Sequence, residues 1–190
     1  MIKVSRMFTI DISHLAYEGA MQKLTPMLSE PDNISCQIDF DADHGNSKII
    51  RDFIGQIFDL HMIEHPWKGR FILITDELIN NAIEHGSSKG DIDSCIIETY
   101  KDRDGEFSIS LEVHDTGTGK DAKDATHMES IRNDRLDDHD NVDGIYMEKR
   151  GRGLFHITEK LVDKLSFSAS PRGGLAVKIE KSIPKTVGNL

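Results

Sequence analysis

In Ile34, Cys36, Ile38 and Phe40 every second residue is apolar, and from Ile49 apolar residues return three and four apart through Ile50, Phe53, Ile54, Ile57 and Phe58. The first pattern is a strand with one buried face, the second a helix with one apolar side, and Asp43-His44-Gly45-Asn46 turns the chain between them. Pro66 and Trp67 open a second helix through Phe71, Ile74, Leu78 and Ala82, stopped by Gly86. Alternation resumes over 93–100 and 107–113, two strands joined by Asp102-Arg103-Asp104-Gly105-Glu106, where Asp-Gly marks a hairpin. One strand, two helices and a hairpin in that order give a sheet lying under helices.

The flanks extend this pattern. Ile2, Val4, Phe8, Ile10 and Ile12 read as a strand, and Leu15, Met21, Leu24 and Leu28 as a helix starting at Ser13, before a break at Glu30-Pro31-Asp32-Asn33. Past the hairpin comes Asp115-Thr116-Gly117-Thr118-Gly119, then about thirty polar residues to Arg150, longer than an ordinary connection and therefore a functional lid or a disordered stretch. From Gly151-Arg152-Gly153 a helix carries Leu154, Phe155, Ile157, Leu161 and Val162. A strand (Leu165, Phe167, Ala169), a turn (Pro171 to Gly174) and a last strand (Leu175, Val177, Ile179) complete the chain. The fold class expected is an α/β (α+β) two-layer sandwich, with a mixed, largely antiparallel sheet covered by helices on one face. Residues 1–33 form a strand-helix extension and 34–190 the main domain, with a lid at about 120–150.

The chain of 190 residues is long enough to bury a core without disulfides or a structural metal. Its formal net charge of -10 disfavours binding to nucleic acid or anionic membranes. Cys36 and Cys95 sit in apolar stretches at a spacing that suits neither a disulfide framework nor a zinc module, so they read as small buried hydrophobes. With no unbroken apolar run of signal-peptide or membrane-spanning length at the N-terminus, a cytoplasmic location is expected.

Glu77 and Asn81, four residues apart on the second helix, project from one face and can meet one ligand. A neutral amide oxygen and a carboxylate suit a phosphate-bound magnesium ion and a proton-accepting base, although a solvated helix face presents the same spacing. Asp115, at the end of a strand, can accept from an exocyclic amine, and Gly117 and Gly119 let backbone approach a ligand; a simple turn would also account for them. Gly151-Arg152-Gly153 opens a helix whose free amides can hold phosphate oxygens.

Taken in order, Glu77-Leu-Ile-Asn-Asn81-Ala-Ile-Glu-His85-Gly86 on a helix, Asp115-x-Gly117-x-Gly119 after a strand, a long segment, and Gly151-Arg-Gly153-Leu154 opening a helix resemble the N, G1 and G2 boxes of the GHKL (Bergerat-fold) ATPases. The resemblance covers roughly 34–181 and is closest to the anti-sigma-factor serine kinase branch. It implies binding of ATP or ADP with Mg2+, Glu77 as general base, Asn81 as the magnesium ligand, and Asp115 as acceptor for the adenine amino group. His85, Gly117, Gly119, Arg150, Gly151, Arg152, Gly153 and Leu154 then border the nucleotide. It implies further that a serine or threonine of an anti-anti-sigma (STAS-type) partner is phosphorylated and a sigma factor sequestered, with a second copy of the chain as another candidate partner. The alternative is a nucleotide-gated binding module without phosphotransfer. One position departs from the family pattern: Gly173-Gly174-Leu175 stands where a threonine usually supports the adenine end, and leucine has no hydroxyl.

Three other motifs are weaker. His61-x-x-Glu64-His65 fits an inverzincin metalloprotease, but Pro66 places it at a helix end. The acidic run Asp134 to Asp143 lacks acids at positions one and twelve of an EF-hand loop, where His139 and Arg150 stand. A histidine autokinase needs a two-helix phosphoacceptor hairpin ahead of the N box, where this chain has strand-like segments.

Overall fold

The computed structural model describes residues 7–63, 65–138 and 161–184. The strands are β1 (Phe8–Asp11), β2 (Ser35–Asp41), β3 (Ile92–Lys101), β4 (Phe107–His114), β5 (Lys164–Ala169) and β6 (Leu175–Ile183). They form one six-stranded sheet in the order β1-β2-β3-β4-β6-β5. Only the β1–β2 pair is parallel, reached through helix α1 (Tyr17–Leu24), and each of the other pairs is antiparallel. The fold is the mixed α/β sandwich expected.

Register explains why one face is dry. Cys36 lies opposite Ile97 and Ile38 opposite Cys95, and Ile97 in turn opposite Leu111, so the apolar set of each strand falls on one side. Against it pack helix α2 (His44–Leu60), through Ile50, Phe53, Ile54 and Phe58, and helix α3 (Trp67–Asn81), through Phe71, Ile74, Leu78 and Ile79. Each such side chain contributes about 1.5–3 kcal/mol by burial. Phe58 stands edge-on to Phe107 with ring centres 5.9 Å apart, fixing α2 against β4. The other sheet face carries Asp39, Ser94, Glu98, Glu112, Lys178 and Glu180 and has no helix layer among the described residues.

Both cysteines are free and fully buried. Burial pushes the Cys36 thiol up to about 12 and the Cys95 thiol well above its ordinary value, so neither supplies a thiolate. Among the described residues no helix is long and apolar enough to cross a membrane.

Three local expectations change. The first helix begins at Tyr17 rather than Ser13, because Asp11 accepts from the Ser13 backbone N–H at 2.8 Å and His14 takes a positive φ of 60°, forming a turn. Pro26 then converts its end into a 3-10 segment, Thr25–Ser29, which holds Leu28. Part of the proposed lid is helix α4 (Ala125–Asp138), started by Asp124, whose carboxylate accepts from His127 N–H at 2.8 Å. Met128 is buried, and Arg132 donates to the Leu165 carbonyl at 3.2 Å, seating α4 beside β5. Residues 139–150 of the expected lid, and with them most of the EF-hand reading, lie outside the described residues.

The metalloprotease motif does not form. α2 ends at Leu60, His61 stacks on Phe107 with ring centres 4.1 Å apart, and α3 starts only at Trp67. His61 and His65 therefore do not share a helical turn.

Candidate active site

The polar residues of α3 divide between two neighbours. Asp76 accepts from Ser47 Oγ at 2.5 Å and faces Arg51 at 3.4 Å, while Asn80 Oδ1 lies 3.1 Å from His44 Nδ1; both are thus occupied by α2. Glu77 and Asn81 are occupied by each other: Asn81 Nδ2 donates to Glu77 Oε1 at 3.2 Å, which leaves Asn81 Oδ1 without a hydrogen bond among the described residues. That oxygen and the Glu77 carboxylate form a donor set suited to a hard cation. Beyond Asn81 the helix widens into a π turn, Ala82–Gly86, of a kind frequent at functional sites.

Gly86 carries the helix end onto Asp115. The Asp115 carboxylate is buried, and Oδ1 accepts two backbone bonds, from Gly117 N–H at 3.0 Å and Leu175 N–H at 2.9 Å. Oδ2 has no partner among the described residues. Burial pushes this carboxyl above its ordinary value, and the two N–H donors pull against it. A methyl group on Gly86 would come within 2.3 Å of the carboxylate, and one on Gly174 within 1.9 Å of Oδ1, so backbone alone fits on either side. Gly119 N–H donates to the Gly86 carbonyl at 3.1 Å, and there too a Cβ would strike His85 O at 2.1 Å. The structure thus brings His85, Asp115, Gly117 and Gly119 to the end of the π turn and places Asn81 and Glu77 back along the helix that leads to it; Arg150, Gly151, Arg152, Gly153 and Leu154 lie outside the described residues.

Leu175 contributes through its backbone, and its side chain is buried in the core. The departure at this position therefore leaves the Asp115 contact intact and removes only a hydroxyl. Gly174→Ala is expected to cost about 1–3 kcal/mol by overpacking and to displace Asp115, lowering melting temperature and nucleotide affinity together. Thermal melting and a binding titration check this; a variant equal to wild type in both would show that the turn yields freely.

Sequence inspection missed a second layer. Ser87 Oγ donates to Asp93 Oδ1 at 2.5 Å and accepts from Thr116 N–H at 3.0 Å. Asp91 Oδ2 accepts from Ser88 N–H at 3.0 Å, from Thr116 Oγ1 at 2.7 Å and from Thr118 Oγ1. These bonds tie the loop after the π turn to the loop after β4. A local signal existed, since Ser, Thr, Asp and Gly dominate both loops, but only the fold shows that the loops face each other.

Two buried titrating groups flank Asp115. Asp93 is fully buried with Oδ2 unpartnered, and desolvation raises its carboxyl from 3.8 to about 6. Because the folded state holds this proton more tightly than the unfolded chain, ionising Asp93 costs stability. The cost is absent below about pH 3.8, grows toward pH 6 and is complete above it, reaching about 3 kcal/mol. His114 has the opposite sign: burial lowers its pKa, so protonation costs stability as pH falls below 6.5. Asp93→Asn should therefore gain on wild type as pH rises from 4 to 7, measured by urea unfolding. A stability difference independent of pH would contradict the assignment.

The family model described as histidine kinase-like ATPase domain matches residues 40–181, about three quarters of the chain. The chain belongs to the histidine kinase-like ATPase family. No curated protein matches it. The matched span takes in α2, α3 and both stitched loops, leaving β1, α1 and most of β2 ahead of it. As a histidine kinase-like ATPase the domain is built to use ATP, and its residues fit a magnesium nucleotide: an unpartnered acceptor on Asp115, glycine backbone on both sides, and the Glu77–Asn81 oxygens farther along α3.

Proposed function

We propose that this histidine kinase-like ATPase is a cytoplasmic Mg-ATP-dependent serine/threonine kinase of the anti-sigma-factor type, which phosphorylates a STAS-type anti-anti-sigma partner and sequesters a sigma factor. The observation that carries the reading is the spacing of functions along one helix. Glu77 lies four residues, about 6 Å, before Asn81 at the α-helical rise, and the π turn from Ala82 to Gly86 adds a further turn before the Asp115 contact, the scale of a nucleoside triphosphate from its base edge to its phosphates. The order of the motifs supports the kinase branch.

In this reading Asp115 Oδ2 accepts from the exocyclic amine of adenine and selects that base. Asn81 Oδ1 would hold the magnesium, which when bound would neutralise phosphate charge. Glu77 orients the acceptor hydroxyl and takes its proton, so the chain's own contribution is chiefly placement. Gly151 and Gly153 open the phosphate side, as the resemblance implies. The net charge of -10 favours a basic patch on the partner, and a second copy of the chain is a further candidate partner.

A binding module that responds to nucleotide without transferring phosphate is the competing reading, and the missing hydroxyl at Leu175 favours it. Incubation with labelled ATP, magnesium and candidate STAS-type proteins separates the two. Label on a partner serine or threonine supports the kinase; tight ATP binding with no label on any partner supports the module.

A further inference from the structure

We infer that Arg172 is a positioning residue for adenine recognition, holding the turn that aims the Asp115 carboxylate. The inference rests on the reading of Asp115 as the base acceptor. Arg172 sits in the turn between β5 and β6, and its side chain crosses the helix-free face of the sheet past β4. Nε donates to Ser94 Oγ at 2.9 Å, Nη1 to the Ile92 carbonyl at 3.0 Å, and Nη2 to the Asp39 carboxylate. One planar guanidinium thus grips β2 and β3 through three groups, which a lysine could not do.

The same turn ends on the base acceptor. Ser170 N–H donates to the Gly174 carbonyl at 2.8 Å, Gly173 N–H to the Ser170 carbonyl at 3.0 Å, and the Leu175 N–H that follows holds Asp115 Oδ1. Pairing of β5 with β6 over six residue pairs already suffices to close the turn. Pairing of β4 with β6 reaches His114 opposite Ala176, and Asp115 N–H donates to the Leu175 carbonyl at 3.0 Å, so the Leu175 end is held over β4. What these bonds do not hold is the turn ahead of it, Pro171 to Gly174, and the only side chain reaching from that turn to β2 and β3 among the described residues is Arg172. With Gly174 in contact with both Asp115 and Gly117, a small slide of the turn moves the Asp115 donors and the glycine wall together.

The test compares ATP with inosine triphosphate, which lacks the 6-amino group, by competition binding on the full chain. Arg172→Met keeps an unbranched apolar stem and removes the guanidinium; it should weaken ATP about tenfold while changing inosine triphosphate little, so that the ATP preference falls. Arg172→Lys, which can keep only the Asp39 contact, should fall between Met and wild type. Should Arg172→Met fail to fold, Ser94→Ala removes the Nε contact alone and should lower the same ratio to a smaller extent. Equal weakening of both nucleotides would mark Arg172 as a general staple and overturn the inference, as would unchanged ATP affinity. A wild-type protein that binds ATP without preferring it over inosine triphosphate would instead remove the reading of Asp115, and this inference with it.

Discussion

Replacing Asp115 with asparagine is expected to weaken ATP binding about a hundredfold while leaving the nucleotide-free protein near wild-type stability. The asparagine oxygen can keep both backbone bonds, from Gly117 and Leu175, which puts the amide nitrogen where Oδ2 stood. A donor then faces the donor of the adenine amine. Because burial already makes the Asp115 carboxyl hard to ionise, losing the charge carries little penalty for the fold. Calorimetric titration with ATP, beside melting of the free protein, provides the check. Undiminished affinity would place the base elsewhere.

Glu77→Gln should separate binding from chemistry. A glutamine oxygen can still accept from Asn81 Nδ2, so the helix face and the metal ligand stay in place, but the group no longer takes a proton. Phosphoryl transfer to the partner should fall about a hundredfold or more, with ATP affinity within a few-fold of wild type. Single-turnover transfer measured alongside equilibrium binding decides it. Transfer at the wild-type rate would exclude Glu77 as the base.

Elements with a full apolar period could be read from sequence. β2, α2, α3 and the β3–β4 hairpin each repeat their pattern over several turns or pairs, and the last two strands could be read from Leu165, Phe167, Leu175, Val177 and Ile179. α4 escaped because its contact with the core rests on little more than Met128 and Ile131, and its clearest local mark is one capping aspartate, Asp124. Glu77 and Asn81 could be placed on one face because four residues on a helix is a local distance. Ser87, Asp91 and Asp93 could not, since their importance comes from loops meeting Thr116 and Thr118 some 25 to 30 residues away. Arg172 is the extreme case: its carboxylate partner, Asp39, lies 133 residues earlier.

The bonds between the loop at Ser87 to Asp91 and the loop at Thr116 to Gly119 carry an energetic consequence. Walls already cross-linked in the free protein have met their ordering cost during folding, so little binding energy is diverted to freezing them when a ligand arrives. Nor can one wall swing away without breaking the hydroxyl contacts of the other. The base end thus behaves as a preset mould with a constant affinity of its own. In the proposed reading, the choice of base is therefore made by walls that do not move, at the same cost in every binding event.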